Sequence, residues 1–375
     1  MKLLFDLTAT QPSANAKYHG GGYYGEVVLF ALIKRTNNII GIYNSKFYIN
    51  PKILESGIKI YDINNISPIN IIKNENIDTF YSAQINNGKE WQFNNIRHII
   101  TWHGVRELEL PIDNIKFFYA DNFKEKIKFF YYYIFLKKIL AKYKNNYKNI
   151  NKNYDFITVS EHSKISIINF YPYLANKLIP VFYSPFFQDE ELSSFTLGIE
   201  PKKYFLLTSS ARWEKNNLRA VWAFDELFSQ RNDINFKVVL TGVTNKKIFL
   251  KNIKNKKKFI FLDYIERAKL LYLYNNAYAF IFPSLNEGFG YPPIESMRYG
   301  VPVAASCTSS IPEVCQNAAI YFDPYNVSEI KNRILQLLDK NIYEEYSSRA
   351  IERYKIVSEK QKLDLNKITD YILSE

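Results

Sequence analysis

From end to end this chain alternates short runs of β-branched and aromatic residues with longer segments of helical pattern, the signature of parallel sheets covered by helices. In the first half the runs are KLLFDL, IIGIYN, IKIYDI, DTFYSA, HIITWHG, DFITVS and IPVFYSP. In the second they are YFLLTSS, FKVVLTG, FIFLDY, YAFIFPS, VPVAAS and AIYFD. A chain of 375 residues exceeds what one ordinary core organises, so the two sets read as two domains. The expected division is a first domain at 1–187, a polar and acidic linker at 188–203, a second domain at 204–350, and a C-terminal helix at 351–375 that packs back toward the first domain. The fold class this predicts is α/β, with two Rossmann-like doubly wound domains facing a central cleft, where open sheets of this kind bind ligands.

The stretch HGGGYYGE, residues 19–26, contains a literal G-x-G-x-x-G at Gly20, Gly22 and Gly25. A dinucleotide fingerprint places its glycines directly after the first strand, with an acidic residue about 20 positions on for a ribose. Here twelve residues separate KLLFDL from Gly20, and the next strand ends in Asn44 and Ser45 without a carboxylate. The glycines therefore read as an open loop of backbone N–H groups leading into a helix, suited to an anion and not to a dinucleotide.

The net charge of +12 is unevenly placed. Residues 121–152 carry nine lysines against Asp121 and Glu125, interleaved with aromatics, and residues 245–258 carry seven lysines and no acid. Such runs suit an anionic membrane surface or nucleic acid; no recognisable nucleic-acid module accompanies them, so nucleic acid is not expected as a partner. The opening apolar run is broken by Asp6 and is followed by no small-residue cleavage site, which argues against a signal peptide. The run FFYYYIFL falls far short of the ~20 residues that span a bilayer. Cys307 and Cys315 make no disulfide framework, the four histidines lack metal-ligand spacing, and no D-x-D occurs. A cytoplasmic, metal-independent protein without a cofactor is expected.

The most informative stretch is FPSLNEGFGYPPIESMRYGVPVAASCTSSIPEV, residues 282–314. A strand ends in a loop bearing Glu287, Gly288, Phe289 and Gly290, and Pro292 and Pro293 then open a helix containing Glu295. Glycines let the backbone approach a phosphate or a polyhydroxyl ring, and the two glutamates can line one pocket. Upstream, RWEKNN supplies Arg212 and Lys215.

Together these blocks resemble the retaining glycosyltransferases of the GT-B fold, the "glycosyl transferases group 1" type that includes many bacterial lipopolysaccharide and capsule enzymes. The family's E-x7-E motif stands here as Glu287 and Glu295, followed by Gly300, Val301, Pro302 and Val303 and by SSIPEV at 309–314. ARWEKNNLRAVWAFDEL resembles the family's basic diphosphate motif, although many relatives place the arginine about five residues before the lysine and here Arg212 precedes Lys215 by three. The likeness covers essentially all of the second half and is thinner in the first, where the glycine loop, TWHG and DFITVSEHSK fit by position.

The resemblance implies a role for each matching residue. Glu295 would bind the nucleotide ribose, and Glu287, with the Gly288, Phe289 and Gly290 backbone, would hold the donor sugar. Arg212 and Lys215 would neutralise the leaving diphosphate. Gly20, Gly21 and Gly22 would approach the donor diphosphate or the acceptor, and His103 would reach the donor sugar. The implied activity is retaining hexosyl or deoxyhexosyl transfer from a nucleotide-diphosphate sugar to a glycan or lipid-linked acceptor, in lipopolysaccharide O-antigen or capsule synthesis. Apart from the resemblance, the basic and aromatic stretch 121–152 would serve peripheral attachment to the inner face of the cytoplasmic membrane, or form a helix covering the first-domain sheet, or both on opposite faces. The alternatives are a sugar-nucleotide epimerase of the same fold and, from a different class, a basic nucleic-acid-binding protein.

Overall fold

The computed structural model describes residues 1–12, 20–85, 93–120, 122–146, 153–186, 198–251 and 253–374. It contains two six-stranded sheets, each entirely parallel where strands pair. The first comprises β1 (Leu3–Asp6), β2 (Ile39–Tyr43), β3 (Lys59–Asp62), β4 (Thr79–Ser82), β5 (Arg97–Thr101) and β6 (Asp155–Ile157). The second comprises β7 (Tyr204–Leu207), β8 (Lys237–Leu240), β9 (Phe259–Phe261), β10 (Ala279–Phe282), β11 (Val303–Ser306) and β12 (Ala319–Phe322).

The strand orders are β3-β2-β1-β4-β5-β6 and β12-β11-β10-β7-β8-β9. Both are the doubly wound order, and in each the winding reverses between the first and fourth strands, β1 and β4 or β7 and β10. The crevice beyond the carboxyl ends of those two strands is where such sheets take ligands. The central strands are buried throughout, which is why they read as continuous apolar runs rather than alternating ones.

The chain divides into two compact units, residues 1–108, 141–188 and 359–375 in the first and 109–140 and 189–358 in the second. This differs from the division at residue 187 read from the sequence. Ile115 is buried in the core of the second unit with Phe224 and Phe249. The Phe118 ring meets Trp222 at 5.3 Å, and Tyr119 meets Phe249 at 6.1 Å. These apolar anchors commit residues 109–140 to the second sheet. The C-terminal helix runs Lys340–Leu373, longer than the segment expected from 351, and its residues from Glu359 onward group with the first unit. Of the expected linker at 188–203, residues 188–197 lie outside the described residues.

Two expectations about the first half change. IPVFYSP forms no strand: Val181 makes one isolated parallel bridge to Thr158, and the bracketing Pro180 and Pro185 have no N–H to extend it. Gly20, Gly21 and Gly22 are not an open loop but the first turn of the helix Gly20–Ile33; residues 13–19 before them, His19 included, lie outside the described residues.

Gly25, the last glycine of the motif, has a packing role. A Cβ there would stand 2.7 Å from Thr10 Cγ2 and 2.8 Å from Ala83 Cβ, so the helix seats on the β1 and β4 ends only without a side chain. Gly25→Val is therefore expected to destabilise the protein by ~1–3 kcal/mol through overpacking, read as a lowered midpoint in urea unfolding with an unchanged slope.

Candidate active site

In the second unit the chain leaves β7, makes a 3-10 turn at Trp213–Lys215 and enters the helix Asn217–Gln230. Asn216 sits between them in the left-handed region at φ 58°, a conformation asparagine adopts more readily than most residues. Its buried side-chain amide donates to the carbonyls of Pro283 (3.0 Å) and Pro324 (2.8 Å), beyond the ends of β10 and β12. The Asn217 amide donates to the Thr208 carbonyl and to Ser210 Oγ, both at 2.8 Å, and Leu285 N–H donates to the Glu214 carbonyl at 2.9 Å. The turn is thereby fixed against both strands of the switch point.

This fixing brings Lys215 onto Glu287. The Lys215 ammonium lies 2.5 Å from Glu287 Oε1, both side chains are almost fully buried, and Ser284 Oγ donates to the same oxygen. The ammonium also stands 5.3 Å from the centre of the Phe282 ring. The Glu287 loop is held from behind: its N–H donates to Ser309 Oγ at 2.9 Å, and Ser310 Oγ donates to the carbonyls of Glu287 and Phe289, both at 3.0 Å. The Phe289 ring is buried, so that residue offers the site its backbone rather than its side chain.

Burial works against charge on Glu287, but Lys215 and then Arg212 outweigh it and hold the carboxyl below its ordinary value of 4.5. Burial also lowers the Lys215 ammonium from its ordinary 10.5, opposed by the Glu287 carboxylate. The alkaline limb of kcat/KM, which reports groups of the free enzyme, is therefore expected below pH 10.5 and should move upward in Lys215→Arg. On the acid side, a depressed carboxyl contributes stability that is complete above pH 4.5 and is lost as pH falls through its lower folded value.

Arg212 is half exposed and paired with Glu214, Nε at 2.9 Å and the terminal nitrogen at 2.8 Å. Ser210 occupies the position five residues before Lys215, and it is buried and bound by Asn217. Arg212 thus brings its charge from the rim, close enough to act on both Lys215 and Glu287.

Glu295 lies on the short helix Tyr291–Met297, whose entry turns on Gly290 at φ 99°. Few residues other than glycine adopt that conformation. Its carboxylate is ion-paired at 2.5 Å with Arg267, on the helix Arg267–Asn276. Tyr274, on the same helix, is buried beside Glu295, and burial with that negative neighbour raises its phenol well above 10. Sequence reasoning missed Arg267 and Tyr274. Their spacing of seven, which sets two side chains on one face of a helix, was the available signal.

The structure therefore gathers Arg212, Lys215, Glu287, Gly288, Phe289, Gly290 and Glu295 around the β7 and β10 ends of the second unit. His103, Gly20, Gly21 and Gly22 belong to the first unit. There His103 Nε2 donates to the Ala83 carbonyl at 2.9 Å, which places a proton on that nitrogen, and its ring meets Tyr24 edge-on at 4.9 Å. Gly21 adjoins Gln84, just past β4. Among the described residues, no group of three or more His, Cys, Asp or Glu is placed to hold a metal ion, and no helix is long and apolar enough to cross a membrane.

Compared with known proteins, residues 189–355 match the family described as glycosyl transferases group 1. The chain is 28% identical over 242 residues to the O-antigen chain mannosyltransferase RfbU of Salmonella typhimurium, covering 62% of each chain. It is 41% identical over 88 residues to O-antigen chain mannosyltransferase B of Escherichia coli, covering 24% of this chain and 23% of that one. The chain thus spans less than two thirds of the length of these relatives. Among solved structures, HepE from Anabaena in complex with UDP and glucose superimposes over 100% of both chains with a TM-score of 0.68 at 14% identity. Sucrose-phosphate synthase from Thermosynechococcus elongatus does so over 100% of both with a TM-score of 0.70 at 12% identity. These structures show the fold, two Rossmann-like domains of the GT-B kind.

Proposed function

We propose that this chain, whose residues 189–355 are a glycosyl transferases group 1 domain, moves a hexosyl residue, mannose in the first instance, from a nucleotide-diphosphate sugar to a glycan or lipid-linked acceptor. The setting we assign is a bacterial surface polysaccharide of the O-antigen kind, since the relatives carry that activity in their names. The observation that carries the reading is the buried Lys215–Glu287 pair at the switch point of the second unit.

Glycosyl transfer breaks the bond between the anomeric carbon and the diphosphate oxygen, so negative charge grows on the leaving group and positive charge on the ring. Lys215 and Arg212 are fixed cations for the former, and a preorganised charge in a buried site stabilises a transition state more than a mobile one in water. Glu287, with Oε1 engaged by Lys215 and Ser284, turns its other oxygen to hydroxyls of the donor sugar. Glu295 accepts from the vicinal hydroxyls of the nucleotide ribose, a geometry a carboxylate matches.

For the first unit we assign Gly20, Gly21 and Gly22 to the diphosphate or the acceptor and His103 to the donor sugar, as the family resemblance implies. The acceptor oxygen bonds to the anomeric carbon on the face the diphosphate leaves, its proton passing to the departing phosphate oxygen, so the anomeric configuration is kept. No metal takes part. The reaction is placed at the inner face of the cytoplasmic membrane, where a lipid-linked acceptor waits.

The test is a screen of UDP-, GDP-, ADP- and dTDP-sugars with a lipid-linked acceptor, following nucleotide-diphosphate release. One mannosyl donor should stand clear of the rest. Release from a different hexosyl donor would replace the sugar assignment, and release from none would remove the reading.

A further inference from the structure

The helix Phe123–Ile134 is amphipathic with its apolar stripe turned outward. At about 100° per residue, Phe123, Ile127, Phe130, Tyr131 and Ile134 fall within an arc of about 100°. Their exposures are 76%, 52%, 54%, 55% and 72%, whereas Phe129, on the opposite side, is buried and packs on Phe117 at 5.6 Å. Lysines border the arc on both sides, Lys124 and Lys128 on one and Lys126 on the other. The following helix, Leu136–Asn146, adds Lys137, Lys138, Lys142 and Lys144. From 122 to 144 there are seven lysines and one acid, Glu125. A stripe of large apolar side chains flanked by lysines is the pattern of a helix lying in the plane of an anionic bilayer surface, rings at the acyl boundary and ammonium groups among the headgroups.

The segment just before this helix is tied to the candidate donor loop, within the same unit. Asn286, next to Glu287, donates to Glu109 at 2.8 Å. Asp113 is ion-paired with Arg219 at 2.9 Å, and Arg219 donates to Asn216 Oδ1 at 2.8 Å, the residue that fixes the Lys215 turn. The Lys116 ammonium lies over the Trp213 ring at 5.4 Å. Residues 109–119 therefore connect the exposed stripe to both sides of the Lys215–Glu287 pair.

We propose that the Phe123–Ile134 stripe and its lysines seat the second unit on an anionic lipid bilayer, and that seating steadies the donor loop through Glu109–Asn286 and Asp113–Arg219 and so raises turnover. The seating stands on the surface alone; the rise in turnover rests on the function proposed above.

The experiment uses the full chain with vesicles of phosphatidylcholine, with and without phosphatidylglycerol. Wild type should co-sediment with the anionic vesicles and dissociate as salt is raised. Phe130→Ser with Ile134→Ser, at two exposed sites whose loss leaves the core intact, should weaken binding about tenfold at low salt, because it removes buried apolar area but no charge. Lys124→Gln with Lys128→Gln should weaken it and flatten the salt dependence. Equal binding to neutral vesicles, or stripe and lysine variants that bind as wild type does, overturns the seating.

Donor turnover with a water-soluble acceptor should rise when anionic vesicles are added to wild type and stay flat for the stripe variant. Binding without a rise overturns the coupling. Absence of any turnover, with binding intact, counts against the proposed reaction and not against the surface.

Discussion

Lys215→Ala is expected to lower turnover about a hundredfold or more, since removing one preorganised charged donor from a developing anion typically costs ~3 kcal/mol of transition-state stabilisation. The same substitution leaves the buried Glu287 carboxylate without its cation, and breaking a buried pair in this way costs ~3–5 kcal/mol of folding stability. The two effects separate in a double substitution. Lys215→Ala with Glu287→Ala removes both charges, so stability should return toward wild type while turnover stays low. A single variant that folds and turns over normally would remove Lys215 from the reaction.

The two glutamates of the E-x7-E motif should divide their effects. Glu287→Gln keeps the shape but loses the charge that holds Lys215 and accepts from sugar hydroxyls, so turnover should fall by roughly a hundredfold while free nucleotide diphosphate binds nearly as before. Glu295→Gln should weaken nucleotide binding and turnover together, because a ribose contact is made in the ground state as well as in the transition state. Calorimetric titration with the free nucleotide, beside steady-state rates, reads both. Equal loss of nucleotide affinity in the two variants would mean the assignment of ribose and sugar contacts is wrong.

Much of this was legible in the sequence, for a physical reason. Central strands of parallel sheets are buried on both faces, so YFLLTSS, FKVVLTG and YAFIFPS stand out as short apolar runs. The block from Glu287 to Val314 reads plainly because one loop and one short helix carry the site in consecutive residues. What was hidden depends on contacts distant in sequence. Nothing local to residues 109–140 says which sheet they join; Ile115, Phe118 and Tyr119 decide it by packing against residues more than 100 positions on. Arg267 meets Glu295 from a different helix, so the pair shows only in the tertiary structure, and the spacing of seven to Tyr274 is all the sequence carries of it. Gly20, Gly21 and Gly22 misread as a loop because glycine disfavours helix in isolation. The helix there depends on close seating at Gly25, which only the tertiary structure shows.

The most direct test of the account is to characterise the product made from a single mannosyl donor by mass spectrometry and by the anomeric proton in NMR. The acceptor should gain one hexose mass, with an α-linkage from an α-linked donor, in amounts matching the nucleotide diphosphate released. A free epimer formed without acceptor, or a product with inverted configuration, would contradict it.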